Sequence, residues 1–494
     1  MKSDSHAGPV GSGSRSMIRI GLRAFVLAFC ILIGLMIISG VLTRIVPPGQ
    51  YERTVTEGRV VIVPGTFRLV EHPTLPVWRW FTAPVEVLFA EGSIVAITII
   101  VFLIFVGASF TVLEHGRILH ALLAVVVRRF RDNRYALMAV VIFFFMSVAA
   151  VLGVYESMVP LIVFIVPLAH FLGWDSLTGL GMSLLAMAFG FGAAITNPFT
   201  IGVAQRIAEL PLFSGAWLRV LFFLLVYGCV LWFVARHARR VEADPSRSPV
   251  FREDQALRAS LGPDALPPAD AMSRAMKRAI IWFGSAMGVA FLFVFATARN
   301  PVLSDLAFPL MALLLLAGGV GAGLFAGMGA RGVARSVGSG ALAMLPGVVL
   351  VLMSLSVRHI VQTGGITDTI LHAAAGVIES RPPLMAAVLI YGVTLVMNFF
   401  IGSASAKAFL MMPILAPLAD IVGISRQTAV LAFGFGDGFS NMLYPSNALL
   451  LIGLGFSVVS FPKWIAWTIG LQAVMFLVSI LFLFLAVAVG YGPF

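Results

Sequence analysis

Charge is scarce in this sequence: Asp, Glu, Lys and Arg make up 11% of 494 residues, against 60% hydrophobic residues and a mean hydropathy of +1.01. That balance excludes a water-soluble domain, because no single core could hide so much apolar side chain from water. Cysteine is scarcer still. Cys30 and Cys229 are the only two, and both sit inside apolar runs, so neither a disulfide framework nor a thiolate metal site is implied. The chain also lacks a His-Glu-x-x-His pair, a Gly-x-x-x-x-Gly-Lys phosphate loop and a Gly-x-Ser-x-Gly elbow. These absences argue against a membrane-embedded enzyme. They also leave any uphill transport to an ion gradient or to a partner subunit. A passive channel would need a continuous polar lining, which this sequence does not offer.

What it has in abundance is apolar runs of about 18 to 23 residues, recurring from Ala24 to the C-terminus and matched to a hydrocarbon layer of ~30 Å. Spans of that length are helices, not barrel strands. The 33 Lys and Arg give a net charge of +11, but they cluster between the apolar runs. Arg15, Arg19 and Arg23 precede the first run, Arg128, Arg129, Arg131 and Arg134 form a second group, and a third extends from Arg236 to Arg278. The positive-inside rule places all three groups in the cytoplasm, which accounts for the charge without nucleic acid.

The expected organisation starts with a disordered cytoplasmic N-terminus (1–23) and a retained first span from about Ala24 to Leu42. An external segment (47–91) follows, with a hairpin of Tyr51 to Val55 and Arg59 to Val63 around Glu57-Gly58. Ser93 to Leu113 returns inward, and Ile118 to Phe130 is a surface helix. Tyr135 to Leu172 is broken at Gly153 to Ser157 and reads as a re-entrant hairpin. Thr178 to Leu210 is broken at Ala194 to Pro198. The first repeat closes at residue 236, and 237–277 is a polar cytoplasmic linker.

The second half repeats this order. Pro417 to Gly423 echoes Pro167 to Gly173, Phe433 to Gly436 followed by Ser440-Asn441 echoes Phe189 to Gly192 followed by Thr196-Asn197, and Ile370-Leu371-His372-Ala373 echoes Ile118-Leu119-His120-Ala121. Such matches, in order, indicate an internal duplication. A connecting span (278–299) reverses the second repeat (306–490), so its hairpin, with the tip at Gly402 to Lys407, enters from outside. The expected fold class is therefore an all-α polytopic membrane protein of two inverted repeats with re-entrant hairpins and broken helices.

Thr196, Asn197, Ser440 and Asn441 supply amides and hydroxyls beside the breaks, where freed carbonyls coordinate a cation and half-helix N-termini favour an anion. They are the leading site candidates, with simple capping of the breaks as the alternative. Glu156, Lys407 and Asp437 are ionisable residues within apolar runs, each costing about 2.5 to 3.5 kcal/mol to insert unless paired or hydrated. Lys407, with Ser403 and Ser405, is placed to hold a substrate carboxylate, and Glu156 or Asp437 to carry a proton or sodium. A structural ion pair among the three is the competing account. His120 and His372 match across the repeats but read as packing residues.

Three stretches resemble the YfcC-like branch of the anaerobic four-carbon-dicarboxylate carrier family, of the ion transporter superfamily. They are Thr196 to Gln205, Met412 to Asp420 and Phe435 to Asn441, and the resemblance extends over about residues 20 to 490. It implies a bacterial inner-membrane carrier with scaffold and transport domains and elevator-type movement. The family's second hairpin tip reads like Ser-Gly-Ser-Gly-Gln, where this chain has Ser403-Ala404-Ser405-Ala406-Lys407. Its segment after the second break resembles Pro-Thr-Ser, where this chain has Pro445-Ser446-Asn447, which brings Ser446 and Asn447 into the expected substrate site. The implied cargo is a small carboxylate, with an amino acid, including a basic one, as the alternative. No cofactor is expected beyond a coupling ion. Sodium, near Asn197 and Asn441, or a proton would serve. The bilayer is the obligate partner, and a homodimer is a candidate assembly.

Overall fold

The computed structural model describes residues 22–56, 59–71, 75–90, 93–260, 272–297 and 301–492. The N-terminal segment to residue 21 and the Glu57-Gly58 turn lie outside them. The first span is α1 (Leu22–Ile45). The external segment carries four short strands, β1 (Gly49–Gln50), β2 (Arg53–Thr56), β3 (Arg59–Ile62) and β4 (Arg68–Leu69). β2 pairs antiparallel with β3, Thr54 opposite Val61, as the alternation of β-prone residues leads one to expect. A second ladder, β1 with β4, joins the ends of the segment. Then comes α2 (Val77–Glu86), a short helix that burial periodicity did not reveal. Its Trp80 is buried against Gly40 of α1, where a Cβ would stand 2.2 Å from the indole. Only glycine admits the ring there.

Next come α3 (Ser93–His115), α4 (Ile118–Phe130) and α5 (Arg134–Leu152). A 3₁₀ turn, Glu156–Leu161, leads into α6 (Ile162–Phe171). The first broken helix consists of α7 (Ser176–Leu180), a π turn, and α8 (Ala186–Gly192). After the break, a second π turn at Pro198–Gly202 opens α9 (Val203–Ile207). The long α10 (Ala216–Ala243) is followed by α11 (Phe251–Ser260) and α12 (Arg274–Thr297).

The second half comprises α13 (Pro301–Phe325), α14 (Gly329–Ala343), α15 (Leu345–Thr363) and α16 (Thr367–Glu379). It continues with α17 (Pro383–Phe400), α18 (Ala404–Val422) and α19 (Arg426–Phe439). After a 3₁₀ turn at Ser440–Met442 the chain ends with α20 (Ala448–Gly455) and α21 (Phe461–Ala488). Among the described residues, nine helices are long and apolar enough to cross a membrane, and three more apolar helices are shorter.

Two groupings position the interior. α1, α2 and α15 share a core of their own, which includes Leu32, Trp80 and Val357 and also takes in Leu451 of α20. At the centre, α8 crosses α19 so closely that a Cβ on Gly438 would lie 1.9 Å from the Gly192 Cα. The two breaks begin just beyond this crossing, at residues 193 and 440.

Of the segment read as a polar linker, 237–277, residues 261–271 lie outside the described residues, and the part before them is docked. α10 continues to Ala243, α11 is helical, and the chain between them is docked. Ser248 Oγ donates to Asp175 Oδ2 at 2.6 Å, and Asp254, fully buried, accepts from Ser176 N at 3.0 Å and Ser176 Oγ at 2.6 Å. Burial alone would raise the Asp175 carboxyl; His237 at 2.9 Å, with Ser248 and Thr178, instead holds it well below the usual carboxylate range.

Candidate functional site

The hairpin of α17 and α18 turns at Ile401-Gly402-Ser403. Ser403 caps α18 by accepting from Ala406 N at 3.4 Å, and Ser405 Oγ lies 3.4 Å from Ser403 Oγ. Ser403 is exposed and Ser405 half-buried, so the tip presents two hydroxyls. One turn into α18, Lys407 is fully buried. Its ammonium donates to Asn398 Oδ1 of α17 and to Asp437 Oδ1 of α19. Asp437 Oδ2 is buried and has no hydrogen-bond partner. Lys407 therefore acts first as the counter-ion of Asp437. Glu156 is exposed at the start of its own 3₁₀ turn, on a different element from these residues.

Asn398 extends the network. Its Nδ2 donates to Ser440 Oγ at 2.7 Å and to Asn441 Oδ1 at 3.0 Å. Asn441 Oδ1 also accepts from Asn447 Nδ2 at 2.9 Å, while Asn447 Oδ1 caps α20 through Leu449 N at 3.0 Å. Ser446 Oγ donates to Phe399 O at 3.1 Å, fastening the second break to the hairpin. Five of the expected residues thus meet in one polar cluster: Lys407, Asp437, Ser440, Asn441 and Asn447.

The first break is built differently. Asn197 Oδ1 caps the π turn through Phe199 N at 2.9 Å and Thr200 N at 3.3 Å. Thr196 Oγ1 donates to Val151 O at 3.1 Å, and both Ile195 N and Thr196 N reach Ala150 O. The end of α5 is thereby tied to the break. Gly153 makes this possible, since its φ is +70° and a Cβ there would stand 2.2 Å from Asn197 Oδ1. Asn197 Nδ2 and Thr200 Oγ1 remain buried without partners. The capping counterpart of Asn197 is Asn447, whereas sequence similarity alone pairs Asn197 with Asn441.

Several carbonyls freed by the breaks already have protein donors. Arg219 Nε reaches Ile195 O at 2.9 Å, Gln472 Nε2 reaches Phe439 O at 3.3 Å, and Trp464 Nε1 reaches Met442 O at 3.0 Å. Cation coordination at these breaks would have to use other atoms.

Two residues of the site were overlooked in the sequence, Asn398, which joins Lys407 to Ser440 and Asn441, and Arg358. Arg358 lies on α15 and abuts the hairpin tip so tightly that a Cβ on Gly402 would lie 1.2 Å from its Nη1. Its Nε is buried without a partner, and among the described residues the guanidinium makes no hydrogen bond or ion pair. The signal was available, because Arg358 is an ionisable residue in an apolar run, the rule that drew attention to Lys407. The network therefore has two cations and one buried acid, a surplus of one positive charge.

Residues 25–488 match the family model described as the C4-dicarboxylate anaerobic carrier, DcuC. The chain belongs to this carrier family. Within it, the chain is 29% identical over 489 residues to an Escherichia coli (strain K12) protein named "Putative basic amino acid antiporter YfcC", covering 92% of this chain and 95% of that one. It is 25% identical over 440 residues to an uncharacterized protein of Haemophilus influenzae, covering 88% and 83% respectively. Among solved structures, the YdaH transporter of Alcanivorax borkumensis aligns over 95% of this chain and 100% of its own, at 19% identity and a TM-score of 0.41. Family membership and nine apolar helices among the described residues make this carrier a multi-pass membrane protein.

Proposed function

We propose that this carrier is an ion-coupled secondary transporter moving a small carboxylate, a four-carbon dicarboxylate or related organic anion, across the bacterial inner membrane by alternating access. The observation that carries this reading is the Arg358 guanidinium, which has no hydrogen-bonding partner among the described residues and abuts the α17–α18 tip. Asp437 attracts this planar five-donor group without hydrogen-bonding to it, so its donors are open to a carboxylate of the substrate. Ser403, Ser405 and the tip amides surround the incoming anion, and Lys407 and Asp437 cancel each other beneath it.

In this reading α5–α6 and α17–α18 are the re-entrant hairpins of two inverted repeats. The α1–α2–α15 group is part of a scaffold against which the hairpins move. Coupling falls to Asp437, whose free Oδ2 accepts a proton or contributes to a sodium site. The same atom favours a second reading, an amino acid whose carboxylate meets Arg358 and whose ammonium meets Asp437 Oδ2. The name of the Escherichia coli relative points the same way.

Proteoliposome uptake separates the readings. Labelled succinate or malate is compared with labelled arginine, with sodium and pH gradients imposed one at a time. Gradient-dependent, saturable uptake of the dicarboxylates supports the first reading, and preference for arginine the second. Uptake of neither under any gradient would overturn both.

A further inference from the structure

Away from the candidate site, the basic end of α10 borders an open groove of about 620 Å³, whose lining includes Gly228, Trp232, Arg236, Arg239, Arg240 and Arg247. Charge and apolar surface are segregated along it. Leu221, Leu225, Gly228 and Trp232 follow one another at three- or four-residue intervals on one helix face, and Arg236 and Arg240 continue the same stripe. Leu221 is 51% exposed, Leu225 42% and Trp232 61%. A Cβ on Gly228 would meet nothing within 4 Å, so this face has an open notch in its apolar half.

At the basic end, the nearby acids are already engaged. Glu242 is bound by Arg134 and by Tyr135 Oη at 2.6 Å, and Asp244 pairs with Arg247 at 3.4 Å. Arg236, Arg239 and Arg240 have no carboxylate partner among the described residues. Two of them are held over rings, Arg236 at 5.1 Å from Trp232 and Arg239 at 5.4 Å from Tyr135. The charge rule places this end of α10 at the cytoplasmic boundary, with Trp232 at interfacial depth.

We propose that this groove is a binding site for one anionic phospholipid, its phosphate held by Arg236, Arg239 and Arg240 and an acyl chain lying along Gly228, Leu225 and Leu221. An apolar face ending in arginines is common to membrane spans; what sets this one apart is the groove, the open notch at Gly228 and the two arginines held over rings beside it. A soluble anion would gain nothing from the notch.

The test is lipid retention on the full-length protein, followed by native mass spectrometry in detergent. The probes are phosphatidylglycerol and phosphatidylcholine with identical chains, and glycerol 3-phosphate as a chainless competitor. Phosphatidylglycerol should be retained at roughly tenfold lower concentration than phosphatidylcholine. R236Q/R239Q/R240Q should abolish the difference, and G228L should weaken retention of phosphatidylglycerol with the three arginines intact. K277Q/R278Q, at the basic start of α12, should leave retention unchanged. Equal retention of the two lipids, equal loss in the K277Q/R278Q control, or displacement by glycerol 3-phosphate would overturn the proposal. Undiminished retention in G228L would do the same.

Discussion

Lys407 and Arg358 carry the same charge in similarly apolar helices, yet their surroundings assign them different parts. Lys407 is enclosed, with Asn398 and Asp437 taking its protons. Removing it takes away the only ion-pair partner that Asp437 has among the described residues, since Arg358 attracts this carboxylate without pairing with it, and breaking such a buried pair costs about 3 to 5 kcal/mol. K407Q should therefore lower the thermal unfolding midpoint markedly in detergent, and K407Q/D437N should recover most of the loss. If the single and double variants unfold alike, the pair is not what Lys407 is for. R358Q removes a guanidinium that makes no internal bond among the described residues, so the protein should stay folded while substrate uptake falls at least tenfold. Wild-type uptake by a folded R358Q protein would remove Arg358 from the site. Both stand in the sequence as ionisable residues within apolar runs, though only Lys407 was singled out there. Which was paired was not legible, because Asp437 and Gly402 approach them only through tertiary contact.

At the scale of elements, the crossing of α8 and α19 is set by glycine on both sides. A Cβ at Gly438 meets Gly192 backbone, which no rotamer change can move. G438A should destabilise the protein by at least about 1 to 3 kcal/mol, whereas G470A on α21, where a Cβ meets nothing within 4 Å, should be neutral or slightly stabilising. Unfolding midpoints of the two variants decide this. Helix extents were largely readable from apolar run length: α4 has the expected bounds, and α1 exceeds its expectation by two or three residues at each end. α2 escaped notice because it is only ten residues long, carries a proline inside and lies in a segment that reads as extended, and its burial depends on the glycine notch in α1. The caps at the breaks were misaligned for a related reason. Asn441 and Asn447 are both plausible by type, and only the geometry of the 3₁₀ turn gives the cap to Asn447.

At the scale of the whole molecule, residues 244–254 are fastened to the loop before α7 through Asp175, Ser176, Ser248 and Asp254. D254A should remove two hydrogen bonds to Ser176 and expose this stretch to hydrogen exchange. Unchanged protection would show that the docking rests elsewhere. Acid should act in the same direction. Because the Asp175 carboxyl is held below its ordinary value, its contribution is fully present above an unfolded-state pKa of roughly 4 and is lost as the pH falls further. Exchange in this stretch should rise on acidification below that value, and D175N should flatten the rise.

Composition and run length were enough to determine that this chain lives in lipid, that its spans are helical, and where its interrupted segments lie. Those properties depend on transfer free energy and on backbone hydrogen bonds, which local sequence sets. Tertiary structure alone decided that α15 delivers a guanidinium without an ion pair to a hairpin tip 44 residues further along the chain, that Asp437 claims Lys407, and that residues 244–254 are fastened to the start of α7. Charge pairing is decided by distance in space, and an apolar helix with one arginine carries no mark of what that arginine will face.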